Sequence, residues 1–281
     1  MSLLACRING INSTQLAITD RACLYGDGLF ETLAVRNGRV EFLDAHLQRL
    51  AAGAQRLGIP MPDAELWRAD IRALLVGRQQ AVLKLLLSRG SGGRGYLAPD
   101  EPMVSRMVML YPWPVHPVEH AEQGVRLRFC QIRLARQPQL AGLKHLNRLE
   151  QILARREWDD ADIQEGLMLD TRDHVVEGTM SNLFWLKGDA LLTPDLSACG
   201  VQGIMRQQLI ELAPSLGLSV KIGEYTRHAL DEADGLFLTN SVIGLWPVRQ
   251  LADRLFDPNP RIKQIQDKLN AVRWQHAESD F

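Results

Sequence analysis

Apolar residues first fall into a helical rhythm at Leu43, Leu47, Leu50, Ala54 and Leu57, with polar residues between them. That spacing predicts an amphipathic helix with Asp44 as its N-cap and Gly58-Ile59-Pro60 as its stop. Asn9-Gly10 and Asn37-Gly38 each separate two apolar-rich stretches. Both residue types tolerate the positive φ of a type I′ turn, so each pair predicts a hairpin. Residues 81–87 and 104–111 are short apolar runs that read as strands. The prolines of Tyr111-Pro112-Trp113-Pro114-Val115-His116-Pro117 then exclude helix and central strand. The domain boundary is placed there: a small N-terminal α/β domain over 1–112, a linker over 113–123, and a larger C-terminal domain over 124–281.

In the second part, Val125, Leu127 and Phe129 alternate with Arg126 and Arg128, which predicts a strand over 125–134. A helix is expected from about Lys144, with Leu146, Leu149, Ile152 and Leu153 as its apolar stripe. Short strands follow at 167–170, 174–176, 183–186 and 190–192, then a helix from near Gly203 to Gly217 and a late strand at 235–239. Strands dominate and read as hairpin-linked, which makes the fold class α+β.

Composition narrows the function. At 46% hydrophobic and 23% charged, with a net charge of −1, the 281 residues give no electrostatic reason to expect nucleic acid or an anionic membrane. Affinity for anions has to come from local arginines. Cys6, Cys23, Cys130 and Cys199 form no C-x-x-C pair, so neither a disulfide framework nor a metal site is expected, in keeping with a reducing cytosol. The apolar run before Arg7 is too short for a signal peptide, and no stretch approaches the ~20 apolar residues of a membrane helix.

Gly90-Ser91-Gly92-Gly93-Arg94-Gly95 spells a dinucleotide fingerprint, but Tyr96-Leu97-Ala98-Pro99 cannot open the helix that such a site needs. It reads instead as a glycine loop carrying Arg89 and Arg94 near a site, or as a plain hairpin loop. Arg49 in the first helix, Arg106 inside an apolar strand and Arg148 after Lys144 are either ordinary salt-bridged arginines or parts of an anion site. Lys144 lies off the leucine stripe with Arg148 four residues on; a nearby cation and partial burial would lower its pKa, as a Schiff-base amine requires. Val201-Gln202-Gly203-Ile204-Met205-Arg206 reads as a loop entering a helix, a ready phosphate site, and Thr239-Asn240-Ser241 could add donors. Glu177 could hold a pyridine nitrogen protonated.

Taken in order, these segments resemble the fold-type IV pyridoxal-phosphate enzymes over nearly the whole chain. Residues 25–31, Glu177 and Asn182-Leu183-Phe184 are shared widely in that fold. Residues 89–96, 143–151 and 200–206 resemble its aminodeoxychorismate lyase branch, and Met205 stands where the aminotransferases usually carry threonine or serine. The resemblance implies pyridoxal 5'-phosphate held between a small N-terminal domain and a larger β-rich domain, in a cytoplasmic homodimer. It makes Lys144 the Schiff-base and catalytic lysine and Glu177 the partner of the pyridinium nitrogen. Arg49, Gly203, Ile204, Met205, Asn240 and Ser241 would hold the phosphate, with Asn182 also at the cofactor and Arg148 near its phenolate. Tyr25, Arg89, Arg94 and Arg106 are the candidates for substrate contact. The implied reaction converts 4-amino-4-deoxychorismate to 4-aminobenzoate and pyruvate in folate biosynthesis; a D-amino-acid or branched-chain aminotransferase is the alternative.

Overall fold

A computed structural model describes residues 2–278; residue 1 and residues 279–281, where the two expected domains begin and end, lie outside it. The chain divides into two compact units. The first runs to Val115 and takes in Lys144–Asn147 and the chain from Arg273; the second comprises His116–Leu143 and Arg148–Val272. The division at Val115 falls within the proline-rich stretch, but the chain also crosses at Lys144–Asn147 and at Arg273, which the pattern of prolines does not reveal.

The first unit holds β1 (Ala5–Ile8), β2 (Ile11–Asn12), α1 (Arg21–Tyr25), β3 (Gly28–Arg36), β4 (Arg39–Glu41), α2 (Leu43–Leu57), α3 (Ala64–Leu75), β5 (Gln80–Ser88) and β6 (Ser105–Tyr111). Its sheet runs from the C-terminal strand Ala277–Glu278 through β4, β3, β5, β6 and β1 to β2. Asn9 and Gly10 (φ 49° and 87°) and Asn37 and Gly38 (φ 52° and 72°) make the two expected hairpin turns. Helix α2 buries Leu43, Leu47, Leu50 and Ala54 as its spacing demands. Its cap differs from expectation: Phe42 is the N-cap, at φ 55°, and Asp44 sits inside the first turn. α2 packs on β3, and α3 on β6 and β1. Strand alternation gives this sheet two faces. Leu29, Glu31, Leu33, Leu83, Leu85 and Leu87 are buried, while Phe30, Thr32, Val82, Lys84 and Leu86 between them are half-buried.

The second unit holds α4 (Glu119–Glu122), β7 (Val125–Leu134), α5 (Leu149–Arg155), β8 (Glu165–Asp170), β9 (Val175–Gly178), β10 (Asn182–Lys187), β11 (Ala190–Pro194), α6 (Ile204–Leu212), β12 (Ser219–Gly223), β13 (Gly235–Asn240), β14 (Gly244–Leu251), β15 (Arg254–Leu255) and most of α7 (Pro260–Gln275). The sheet order is β12-β11-β10-β13-β14-β7-β8-β9, with β15 on β14. Hairpins account for β8–β9, β10–β11 and β13–β14, but β11–β12, β14–β7 and β7–β8 are parallel, so hairpin linkage is only part of the α+β design. Leu167, Leu169, Leu183, Trp185, Leu236, Leu238 and Trp246 form its principal core.

The helix expected from Lys144 does not form there. It starts at Leu149, and Leu149, Ile152 and Leu153 are 73%, 54% and 49% exposed where a core stripe was expected. Residues 144–146 instead hydrogen-bond to β3, and a backbone that pairs with a neighbouring strand cannot close helical turns.

Candidate functional site

Lys144 is carried by the sheet of the first unit. The Phe30 N–H donates to the Lys144 carbonyl at 2.9 Å, the Leu146 N–H donates to the Gly28 carbonyl at 3.0 Å, and Leu29 lies opposite His145. That antiparallel register sets Lys144 beside Phe30, and side chains opposite each other share a face. The Lys144 Nζ lies 4.4 Å from the centre of the Phe30 ring, whose negative face attracts the cation. Glycine makes room for this edge: a Cβ on Gly26 would come within 2.7 Å of Asn147 Oδ1, and one on Gly28 within 2.9 Å of a Leu146 methyl.

Beneath, on the helix-covered face, Glu31 is clasped by α2. His46 Nδ1 lies 2.6 Å from Glu31 Oε2, and Arg49 Nε donates to Oε1 at 2.8 Å. Burial pushes the Glu31 carboxyl up, but the Arg49 and His46 contacts outweigh it and hold the pKa at about 2. Burial pushes the His46 imidazole down against the pull of Glu31, and the Arg49 and Lys144 charges add to that. Arg49 is thus fixed by an ionised carboxylate, which orients its guanidinium. Glu31 and His46 escaped the sequence reading, although Glu31 lies at an apolar-facing position of β3, where a carboxylate needs a partner.

The substrate arginines fare differently. Arg89 is buried and spent: Nε donates to Asp27 at 2.8 Å, Nη1 to the Gly58 carbonyl at 2.7 Å, and Nη2 to Leu57 and Asp27. Arg106 is buried against Asp70, at 3.0 Å from Nε and 2.8 Å from Nη2, and Arg7 shares that carboxylate. In both arginines the Nε–Nη2 edge of the fork grips a carboxylate of the protein itself. Arg94 is exposed on the glycine loop, which runs from β5 to β6 without a helix, as its sequence leads one to expect. Tyr25 accepts a hydrogen bond from the Gly95 N–H at 3.1 Å and packs edge-on to Tyr96. Arg21, unsuspected from sequence, donates to the carbonyls of Gly95, Tyr96 and Leu97 and holds that loop.

The second unit gathers the remaining candidates. Glu177, buried on β9, accepts from the Val201 N–H at 2.9 Å and from Asn182 Nδ2 at 3.4 Å. Asn182 Nδ2 also reaches the Val201 carbonyl at 2.9 Å. Gly203 caps α6 without a side chain, and a Cβ there would collide with Asn182 Oδ1. The N–H groups of Ile204 and Met205 lie in the first helical turn, where no intrahelical acceptor exists. Arg148 is the N-cap residue of α5; burial lowers its pKa, with Glu177 and Glu150 acting against it. Asn240 Nδ2 donates to the Met180 carbonyl at 3.1 Å and its Oδ1 accepts from the Val242 and Ile243 N–H groups, so the side chain builds the loop around Ser241. The Thr179–Ser181 turn that Asn240 touches is anchored on the buried Glu165, which accepts from the Thr179 and Met180 N–H groups and from Ser181 Oγ.

Among the described residues no group of three or more His, Cys, Asp or Glu could hold a metal ion, and no helix is long and apolar enough to cross a membrane. The model of the amino-transferase class IV family matches residues 28–251. An aminodeoxychorismate lyase of Vibrio harveyi is 38% identical over 86% of this chain and 89% of its own. The crystal structure of 4-amino-4-deoxychorismate lyase from Pseudomonas aeruginosa matches with a TM-score of 0.91 at 45% identity, covering 95% of this chain and 98% of that one. The fold is also that of a hypothetical aminotransferase from Mycobacterium tuberculosis in a form with alpha-ketoglutarate and PMP bound, at a TM-score of 0.83 and 24% identity over 96% and 98% of the two chains. With the match spanning most of its length, this chain belongs to the class IV amino-transferase family.

Proposed function

We propose that the chain is a pyridoxal-phosphate-dependent lyase that converts 4-amino-4-deoxychorismate to 4-aminobenzoate and pyruvate, a step of folate biosynthesis. The observation that carries this reading is the Lys144 amine presented over Phe30 on the half-open face of the sheet, in a chain 45% identical to a 4-amino-4-deoxychorismate lyase. The residues fit the cofactor. Gly203, Ile204 and Met205 offer an uncapped helix start for its phosphate, and Asn182 packs so closely that no side chain is tolerated at Gly203. Glu177, aimed by Val201 and Asn182, suits a protonated ring nitrogen. Arg49, Arg148 and Ser241 complete the proposed set, and Tyr25 and Arg94 are retained as substrate contacts.

Bound there, pyridoxal phosphate supplies an electron sink for the carbon that bears the substrate nitrogen. Lys144 Nζ removes the proton from ring carbon 4. The bond between ring carbon 3 and the enolpyruvyl oxygen then breaks with its electron pair on oxygen, and the ring becomes aromatic. Lys144 Nζ gives its proton to the departing enolpyruvate, which ends as pyruvate, so the reaction needs no oxidant or water. Phe30 attracts the ammonium form of Lys144 and keeps it at the face between the two transfers. A cytoplasmic homodimer belongs to the same proposal, supported by the exposed Leu149, Ile152 and Leu153 on α5.

Incubation with 4-amino-4-deoxychorismate should release 4-aminobenzoate and pyruvate in equal amounts, and Lys144→Ala should stay folded without turnover. Wild-type rates in that variant would refute the role of the lysine. Loss of colour with D-alanine or leucine, and no 4-aminobenzoate, would mark an aminotransferase instead.

A further inference from the structure

Strand β8 begins and ends on a buried carboxylate, and the two are held in opposite ways. Asp170, at its end, is paired with Arg136. Glu165, at its start, is 2% exposed and makes no ion pair with any described residue. Its oxygens are filled instead by five neutral donors. Oε1 accepts from the Gly166 N–H at 3.0 Å, the Thr179 N–H at 3.0 Å and the Thr179 hydroxyl at 2.5 Å. Oε2 accepts from the Met180 N–H at 3.1 Å and the Ser181 hydroxyl at 3.0 Å. Burial pushes the Glu165 pKa up, and these bonds oppose the rise without cancelling it. A carboxylate whose folded pKa is raised works against folding once pH passes its unfolded value, so stability alone does not account for a charge here.

Four of the five donors belong to one turn, Thr179–Ser181, between β9 and β10. The turn is closed by the Gly178 N–H, which donates to the Ser181 carbonyl at 2.7 Å. It is packed so tightly that a Cβ on Gly178 would collide with Ser181 Oγ and come within 2.9 Å of Glu165 Oε2. Candidate cofactor residues leave it in three directions. Glu177 precedes the turn and Asn182 follows it; Asn182 Nδ2 reaches back to Glu177 at 3.4 Å, and its Oδ1 is the atom that a Cβ on Gly203 would strike. The Met180 carbonyl accepts from Asn240 Nδ2 at 3.1 Å, and Asn240 shapes the loop around Ser241. A shift of this turn therefore moves the carboxylate meant for the ring nitrogen together with the walls of the phosphate cup.

We infer that Glu165 is a positioning residue for the cofactor: by fixing the Thr179–Ser181 turn it aims Glu177 at the ring nitrogen and sets Asn182 and the Ser241 loop about the phosphate. The inference rests on the reading of this chain as a pyridoxal-phosphate lyase. In Glu165→Gln the side chain keeps its shape and one carbonyl oxygen. With that oxygen on the Thr179 side, the new amide group meets the Ser181 hydroxyl, which can turn to accept, and the Met180 N–H, which cannot. Met180 is pushed away, and Asn240 with it.

The test titrates cofactor-free wild type and Glu165→Gln with pyridoxal phosphate. Kd should rise about tenfold in the variant, the lower end of what one charge-assisted hydrogen bond is worth. At saturating cofactor kcat should fall while KM for 4-amino-4-deoxychorismate holds, because no substrate contact is proposed on this turn. The absorption band of the bound cofactor should shift as Glu177 loses its aim. A purely structural glutamate would lower the melting temperature of the cofactor-free protein and leave Kd, band and kcat of the folded fraction at wild-type values. That result would overturn the inference. Where Glu165→Gln fails to fold, Thr179→Val decides, since it removes the hydroxyl bond to Oε1 alone. Its Kd should rise about threefold, and an unchanged Kd would overturn the inference equally. A wild type that binds pyridoxal phosphate but releases no 4-aminobenzoate refutes the lyase reading, while weaker binding and a shifted band in Glu165→Gln still support the role of Glu165. A wild type that takes up no pyridoxal phosphate overturns both.

Discussion

Replacing Glu31 by glutamine keeps the shape of a buried side chain and removes its charge. The carboxylate is 1% exposed and faces Arg49 and His46, and its pKa is held at about 2 against an ordinary 4.5. A depressed carboxylate stabilises the fold above its unfolded pKa and loses that contribution as pH falls through the folded one. At about 1.4 kcal/mol per unit, the difference corresponds to about 3 kcal/mol at pH 7. By the same relation it declines to about 2 kcal/mol near pH 3.5 and vanishes below pH 2. Glu31→Gln also leaves Arg49 beside a neutral amide, which agrees with the ~3–5 kcal/mol seen when one member of a buried pair is removed. Urea unfolding of both proteins between pH 7 and pH 3.5 is the measurement. The variant should be less stable by about 3 kcal/mol at neutral pH, with the gap narrowing as the solution is acidified. A gap that is constant with pH would show that packing, not charge, explains the loss, and a gap under about 1 kcal/mol at pH 7 would refute the ion-pair account altogether.

Gly203→Ala should drive a methyl group into Asn182 Oδ1 and weaken cofactor binding at least about tenfold, read by titrating the cofactor-free protein with pyridoxal phosphate. Equal affinity would remove Gly203 from the phosphate cup. Arg106→Met should lower the melting temperature and cost about 3 kcal/mol, because Asp70 loses the more deeply buried of its two partners, yet leave KM unchanged. A raised KM with normal stability would return Arg106 to the substrate.

Much of the first unit could be read from the chain because its signals are local. The Asn-Gly turns, the stripe of α2 and the two apolar runs of β5 and β6 depend on neighbours within a few residues. Lys144 is different. Leu146, Leu149, Ile152 and Leu153 satisfy a helical template, yet the backbone at Lys144 and Leu146 pairs with Gly28 and Phe30, partners that no local window contains. Helix α3 shows a quieter signal, an Asp63 cap with buried Trp67, Ile71 and Leu74, masked by Glu65, Arg68 and Arg72 on its outer side. Arginine roles were the least legible, since sequence displays the cation and hides the carboxylate: Asp70 and Asp27 decide the fate of Arg106 and Arg89 from distant elements.

The borrowed edge strand also sets an order of events during synthesis. The β3–β5–β6 ladder can close once Tyr111 has emerged, but the Gly28 carbonyl and the Phe30 N–H wait for Lys144 and Leu146, which are made much later. Over that interval the front half of β3 is an open strand edge, available to another nascent chain. The segment that carries Lys144 is therefore also the cap that ends this vulnerability, so a truncation before Lys144 forfeits protection from aggregation.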